Sequence, residues 1–332
     1  MSSTAEQLDG GENTTGIFNY MVEETESSLY RNSKVLSRRD ADGSDNDGVG
    51  LDFKEREMVV HDARVLPANQ QRTLKAHGFE LVDRPLNDPD LDFFDHSSVI
   101  HDYYGQCAKL VSEFTGGRAY AFDHNVRSAT GKQSKRRISG GQQVQGPAHI
   151  AHGDYTLYSA PQRLKDLAQP PGGNDTLKSI LAEGETLITS EDVQRCLASG
   201  GRFAIINVWR NIDVEPVATH PIAFCDGQTV LTEDLVVFEI HYANRIGENY
   251  FSKHADRHRW YYYPAITKEE ALLIKQWDSD GPLAQSDGAE ADSANLEAPC
   301  TFSFHSAFAD PATPPDAPDR WSIEVRCIVI YD

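Results

Sequence analysis

Twelve histidines are spread along the chain, and two of them carry an aspartate two residues further on: His152-Gly153-Asp154 and His254-Ala255-Asp256. Alternate residues of an extended strand point to the same side, so either pair can offer an imidazole and a carboxylate to one metal ion. A distant third ligand, a histidine, completes a 2-His-1-carboxylate set. On Fe(II) such a set leaves open neighbouring positions for a bidentate 2-oxo acid and dioxygen. His305, in Phe304-His305-Ser306-Ala307-Phe308 at the end of a strand-like run, is the candidate for that ligand. Spacing alone does not choose between the two His-x-Asp pairs, because both precede His305 by workable distances.

A second chemical pattern follows in Arg320-Trp-Ser-Ile-Glu-Val-Arg326. Arg320 and Ser322 share one face of a strand. There the guanidinium can take a distal carboxylate through two hydrogen bonds and the hydroxyl can add a third. Arg326 lies on the same face, about 20 Å further along an extended chain, so the two arginines cannot grip one carboxylate alike. Arg320 is the expected anchor, because it lies nearest the loop after His305 and has Ser322 beside it; Arg326 is the alternative. Asn207 and Arg210 lie on a strand expected to border the cavity, with Arg210 a second candidate anion binder. Tyr262 is a candidate hydrogen-bond donor to a cosubstrate carboxylate. His124 and Arg127 are candidate substrate contacts, and Arg127 opens a basic stretch ending at Arg137. His149, three residues before His152, has the opposite parity on a strand and is not expected as a ligand.

The elements that must hold these residues can be read from the pattern of apolar positions. Residues 1–50 are largely polar and are expected to be loose, apart from a short apolar segment at 17–21 that suggests an edge strand; 51–332 is expected as one domain. Strands are predicted at 58–64, 79–84, 118–126, 203–209, 217–223, 235–242, 260–263, 301–304 and 321–331, from runs of β-branched and aromatic residues. Ile100, Tyr104, Cys107, Val111 and Phe114 recur at steps of three and four and predict a helix over 97–114. Further helices are expected from Pro67 to His77, as two short ones between Gln162 and Leu197 with Ser190 as a cap, and over 268–277 behind a capping box, Thr267-x-x-Glu270. Residues 128–146 read as a loop and candidate substrate lid, and 282–299 as a polar insert. The fold class is α+β: a barrel or double-sheet jelly roll with flanking helices, mostly N-terminal.

The 51 acidic and 31 basic side chains give a net charge of −20. That balance disfavours nucleic acid and anionic membrane surfaces as partners and leaves a small molecule as the expected one, with the chain a monomer or homodimer. No apolar run approaches membrane-spanning length, and the polar N-terminus reads as no signal peptide. Five scattered cysteines form no paired motif and point to a reducing cytoplasm. Neither a G-x-G-x-x-G nor a G-x-x-x-x-G-K-[ST] loop occurs.

Six segments in order, His152-Gly-Asp-Tyr-Thr, Asn207-Val-Trp-Arg210, His258-Arg-Trp-Tyr-Tyr262, Lys275-Gln-Trp-Asp-Ser279, His305-Ser-Ala-Phe308 and Arg320 to Arg326, carry a family resemblance. Together they resemble the cephem 7-methoxylase and fungal gibberellin-desaturase-like Fe(II)/2-oxoglutarate oxygenases of secondary metabolism, over roughly 120–332. Asn211 departs from the expected pattern, where a proline would follow Trp209-Arg210. The resemblance implies a double-stranded β-helix, with His152, Asp154 and His305 on Fe(II) and 2-oxoglutarate as cosubstrate. Dioxygen would be consumed, succinate and carbon dioxide released, and a ferryl-oxo species would hydroxylate, desaturate or cyclise a small metabolite. Topology agrees on His152: it leaves room for several strands before His305, whereas His254 leaves one strand and one helix. Two rivals remain at this level: a jelly-roll metal-binding protein without oxygenase activity, and a metal-dependent hydrolase on the same ligands.

Overall fold

The structure is a computed structural model and describes residues 13–39, 45–172, 175–242, 245–285 and 299–332. Residues 286–298 of the polar insert expected at 282–299 lie outside the described residues, as does the start of the N-terminal segment. Two sheets make up the fold. The smaller has five strands in the order β5 (Phe79–Asp83), β13 (Glu270–Asp278), β8 (Phe203–Asn211), β15 (Ser322–Ile330) and β6 (Arg118–Arg127), every neighbouring pair antiparallel.

The larger sheet has ten strands. From one edge they run β1 (Thr14–Met21), β4 (Phe53–Asp62), β12 (Trp260–Tyr262), β9 (Ile222–Cys225) and β14 (His305–Ala307). They continue through β7 (His152–Gly153), β11 (Ile246–Ser252), β10 (Leu235–His241), β2 (Leu36–Arg39) and β3 (Asp45–Val49) to the other edge. From β6 to β9, and again from β12 to β15, each strand lies in the other sheet from the one before it, the winding of a jelly roll. Trp209, Leu272 and Ile274 of the small sheet pack with Phe224 and Tyr261 of the large one, so the sheets bury a common interior.

Helix α1 (His96–Ser98) leads through a wide turn at 99–103 into α2 (Tyr104–Thr115), which Gly116 ends at φ 74°, in the left-handed region that glycine enters freely. Tyr104, Cys107, Leu110 and Val111 form one core with Ala204, Ile206, Val208, Val325 and Cys327, so α2 covers the outer face of the small sheet. Burying side chains of this size is worth ~1.5–3 kcal/mol each. The remaining helices are α3 (Ala129–Gln133), α4 (Ser159–Leu167), α5 (Ser190–Leu197) and α6 (Pro282–Gln285). No described helix is long and apolar enough to cross a membrane.

Several expectations are corrected. The helix expected at 268–277 is β13, a strand buried along almost its whole length between β5 and β8. Thr267 and Glu270 do bond to each other, with the Thr267 N–H donating to Glu270 Oε2 at 2.9 Å, but they close a turn that Arg64 clamps, not a helix start. A short apolar run buried on both faces has no period that separates helix from strand.

The helix expected from Pro67 is only a turn, Ala68–Gln70. Beyond it, side chains take the N–H groups a helix would need: Thr73 N–H donates to His77 Nδ1 and Leu74 N–H to Glu80 Oε2. Thr189, not Ser190, caps α5 through a reciprocal box with Asp192. Residues 301–304 are not a strand, and β14 begins at His305 itself. The apolar segment at 17–21 forms β1, an edge strand of the large sheet, but the stretch read as loose also contains β2 and β3. Phe18 and Tyr20 of β1 are fully buried, Phe18 stacking on Trp260 at 4.4 Å, so the large sheet does not divide at residue 50.

Candidate metal centre

Strands β7 and β14 lie side by side, and His152 stands directly opposite His305 in their register. The two rings lie side by side with centroids 4.3 Å apart. Asp154, just past the end of β7, brings Oδ1 to 3.7 Å from His152 Nε2. Ligand atoms of the three residues all lie within 4.8 Å of one another, a grouping met once among the described residues. His152 Nδ1 donates to the Ile150 carbonyl at 2.7 Å, which leaves Nε2 free for a metal.

Burial, helped by the neighbouring His305, lowers the His152 pKa to about 4 against the pull of Asp154. Burial also lowers that of His305. Burial would raise Asp154, but Arg326 first and then His305, His152 and Arg127 hold it down to about 2. Two neutral imidazoles beside an ionised carboxylate are the donor state a divalent cation requires, so the residues present fit an iron(II) ion.

Among the described residues the rival pair gathers no third ligand: His254 Nε2 lies 3.9 Å from Asp256, whose side chain is fully exposed. His149 points elsewhere and pairs with His220 at 3.1 Å.

A polar wall from the small sheet surrounds the metal residues. Residues directly opposite in neighbouring strands share a face. The register therefore puts Asp123, Asn125 and Arg127 of β6, Ser322, Glu324 and Arg326 of β15, and Asn207, Trp209 and Asn211 of β8 on one face. Asn207 Nδ2 donates to Asp154 Oδ2 at 3.1 Å, and Arg326 Nε approaches the same oxygen at 3.7 Å. Arg326 also donates to Asp123 Oδ2 at 3.1 Å and to Glu324 Oε1 at 3.4 Å. Its charge is thus matched by three carboxylates. Burial raises the Glu324 pKa, with Asp154 adding to the rise and Arg326 opposing it.

Arg320 is placed differently. It is buried just before β15, and its guanidinium donates to the His220 carbonyl and lies 5.7 Å from the Trp209 ring centre. Its Nε and the Ser322 hydroxyl are both buried without a hydrogen-bond partner. Burial first, then Arg127, lowers the Arg320 pKa to about 9. Arg127 is half-buried and donates to the Gly146 carbonyl at 2.9 Å.

Three expected site residues are not brought to this wall. Arg210 occupies the opposite face of β8, donating to Tyr103 Oη at 2.9 Å and to the Lys268 and Arg84 carbonyls. His124, between inward-facing Asp123 and Asn125, turns outward to Tyr104 Oη at 2.8 Å and behaves as a satisfied core histidine. Tyr262 stands opposite Ala223 and so shares the face of Ser306, not of His305, with its ring edge-on to Phe308 at 5.5 Å. Asn211 replaces the proline of the motif without loss of the turn, since its side-chain amide donates to the Glu215 carbonyl at 2.8 Å. The roles of Asp123 and Glu324 around Arg326 were not anticipated; the alternation Arg127, Asn125, Asp123 along β6 was the available signal.

A family model described as an oxidoreductase/YMDC permease-like domain matches residues 18–330. The Fe(II)/2-oxoglutarate-dependent dioxygenase nvfI of Aspergillus novofumigatus is 30% identical over 288 residues, covering 85% of each chain. An uncharacterized protein of the dcmA 3' region of Methylophilus leisingeri is 42% identical over 196 residues, 59% of this chain and 89% of its own. Among solved structures, the iron and alpha-ketoglutarate-dependent endoperoxidase NvfI superposes with a TM-score of 0.69 at 24% identity, covering 96% of this chain and 98% of its own, a likeness of fold.

Proposed function

The chain belongs to the oxidoreductase/YMDC permease-like domain family and to the Fe(II)/2-oxoglutarate-dependent dioxygenases, and from that premise we infer that it oxidises a small secondary metabolite at the His152, Asp154 and His305 centre. When bound there, iron(II) with 2-oxoglutarate supplies the dioxygen activation that ends in succinate and carbon dioxide. His152 and His305 give neutral nitrogen donors, and Asp154 gives the anionic one. Asn207 and Arg326 hold the second oxygen of Asp154, so the carboxylate cannot swing away from the metal.

The observation that carries this reading is the orphaned pair beside the centre. Arg320 Nε and Ser322 Oγ are buried donors with nothing to bond, at a guanidinium with no carboxylate in ion-pair range among the described residues. A buried donor left unmet costs ~1–3 kcal/mol, and the distal carboxylate of 2-oxoglutarate satisfies both groups at once. Arg326, already matched by Asp123, Asp154 and Glu324, is the weaker candidate for that role.

The ordered segments from His152 to Arg326 further favour a place near the cephem 7-methoxylase and gibberellin-desaturase-like enzymes, with hydroxylation, desaturation or ring closure as outcomes. The residue 128–146 segment serves as the lid over the substrate. The test is uncoupled turnover: purified protein with Fe(II), 2-oxoglutarate and dioxygen is expected to form succinate without its metabolite, and Asp154→Ala to form none. A jelly-roll binding protein would form none in either case, and a hydrolase would act without consuming dioxygen.

A further inference from the structure

Among the described residues the half-buried arginines mostly pair with a carboxylate, whereas the fully buried Arg210 is met by the Tyr103 hydroxyl and two main-chain carbonyls. Arg56, Arg72, Arg163, Arg202 and Arg257, none of them fully exposed, each pair with an aspartate or glutamate, and Arg326 has three. On the wall facing the metal residues this rule fails twice, at Arg320 and at Arg127. Arg320 is accounted for by the cosubstrate. Arg127 ends β6 directly opposite Ser322, on the face that carries Glu324 and Arg326. Among the described residues its guanidinium makes a single hydrogen bond, to the Gly146 carbonyl. Its charge is felt by Asp154, His152, His305 and Arg320, and the register sets it across from Ser322, two residues from Arg320. Burial with too little compensating charge lowers its own pKa, Glu324 being the chief opposing influence.

We propose that Arg127 is a second anion site on the same sheet face and that it receives a carboxylate of the organic substrate, which makes the substrate a carboxylic acid. The proposal rests on the cosubstrate reading of Arg320. A guanidinium offers a planar fork to a carboxylate and holds it in a fixed orientation. Here that fork sits within electrostatic reach of the metal ligands, so it fixes which carbon of the acid faces the reacting centre. The Gly146 carbonyl uses one donor and pins the arginine to the end of the 128–146 segment. The remaining donors are free for two hydrogen bonds to an incoming acid.

The test uses full-length Fe(II)-loaded enzyme without dioxygen, saturated with 2-oxoglutarate, and two fluorine NMR probes, 4-fluorophenylacetate and its uncharged amide. The charge-transfer absorption of the Fe(II)–2-oxoglutarate complex reports cosubstrate binding independently. The acid is expected to bind on top of 2-oxoglutarate and the amide not to. Arg127→Gln is expected to weaken the acid at least about tenfold, the size of one hydrogen bond to a charged group, with the charge-transfer band retained. Arg127→Lys, which keeps the charge, is expected to recover part of the binding and guards against a variant that merely misfolds. Displacement of the acid by 2-oxoglutarate in the wild type would overturn the proposal, because Arg127 would then belong to the cosubstrate site. So would equal binding of acid and amide, binding of neither, or undiminished binding in a folded Arg127→Gln. A wild type with no charge-transfer band would overturn the cosubstrate reading, and this one with it.

Discussion

At the scale of single residues, the centre is a division of labour among side chains of one type. Three arginines stand around it, Arg127, Arg320 and Arg326, and what separates them is what they touch. Arg326 is matched by carboxylates and steadies Asp154, whereas Arg320 has neutral partners only. Arg320→Ala is therefore expected to raise the KM for 2-oxoglutarate by ~10–100-fold, the loss of a charge-assisted contact worth roughly 1.5–3 kcal/mol, with metal affinity little changed. Arg326→Ala is expected to weaken the metal instead, because Asp154 loses its nearest cation and Asp123 and Glu324 are left unmatched. Steady-state kinetics and Co(II) titration on both variants check this, and a KM effect confined to Arg326→Ala would exchange the roles. His152→Ala is expected to abolish metal binding and His254→Ala to leave it intact, since only the first lies in a three-ligand cluster; the reverse result would move the centre to the other pair.

At the scale of elements, what was legible in the sequence depended on whether a signal was local. His152 and Asp154 could be paired because parity along one strand needs no tertiary knowledge, and the helix at 104–115 showed its own period. The faces of β6 and β8 were another matter. Asn207 and Arg210 are three apart and therefore oppose each other across the sheet, yet both were expected in the cavity; parity alone could have rejected one of them. Which one required the register against β15. Strand β11 was missed because Gly247, Glu248 and Asn249 break its apolar run.

β13 and the 128–146 segment give the element-scale predictions. Leu273 is fully buried in the middle of β13, under α2 and its core, so Leu273→Ala is expected to cost ~2–5 kcal/mol by denaturant unfolding. The 128–146 segment is held at its base by Asp319, whose carboxylate accepts from Ser128 Oγ, from Thr130 Oγ1 at 2.7 Å and from Thr130 N–H at 3.1 Å. Asp319→Ala is expected to speed hydrogen exchange across 128–146 while leaving β7 unchanged. Equal exchange in variant and wild type would mean that the latch does not hold the segment.

At the scale of the whole molecule, burial sets how the metal-free protein responds to acid. His124, His149 and His152 are each lowered to about 4 from an ordinary 6.5, chiefly by burial. Between those values the unfolded chain takes up protons that the folded one refuses, so the stability these groups contribute is complete above 6.5 and is lost as pH falls toward about 4. The melting temperature of the metal-free protein is expected to fall through that window. A constant or rising value would contradict the burial of these rings. The pairing of His152 with His305 across two adjacent strands has a further consequence. The spacing of these imidazoles is set by the main-chain pairing of β7 with β14, not by the loops around it. Descendants of this chain can exchange those loops, and with them the molecule they oxidise, while inheriting the same reactive heart.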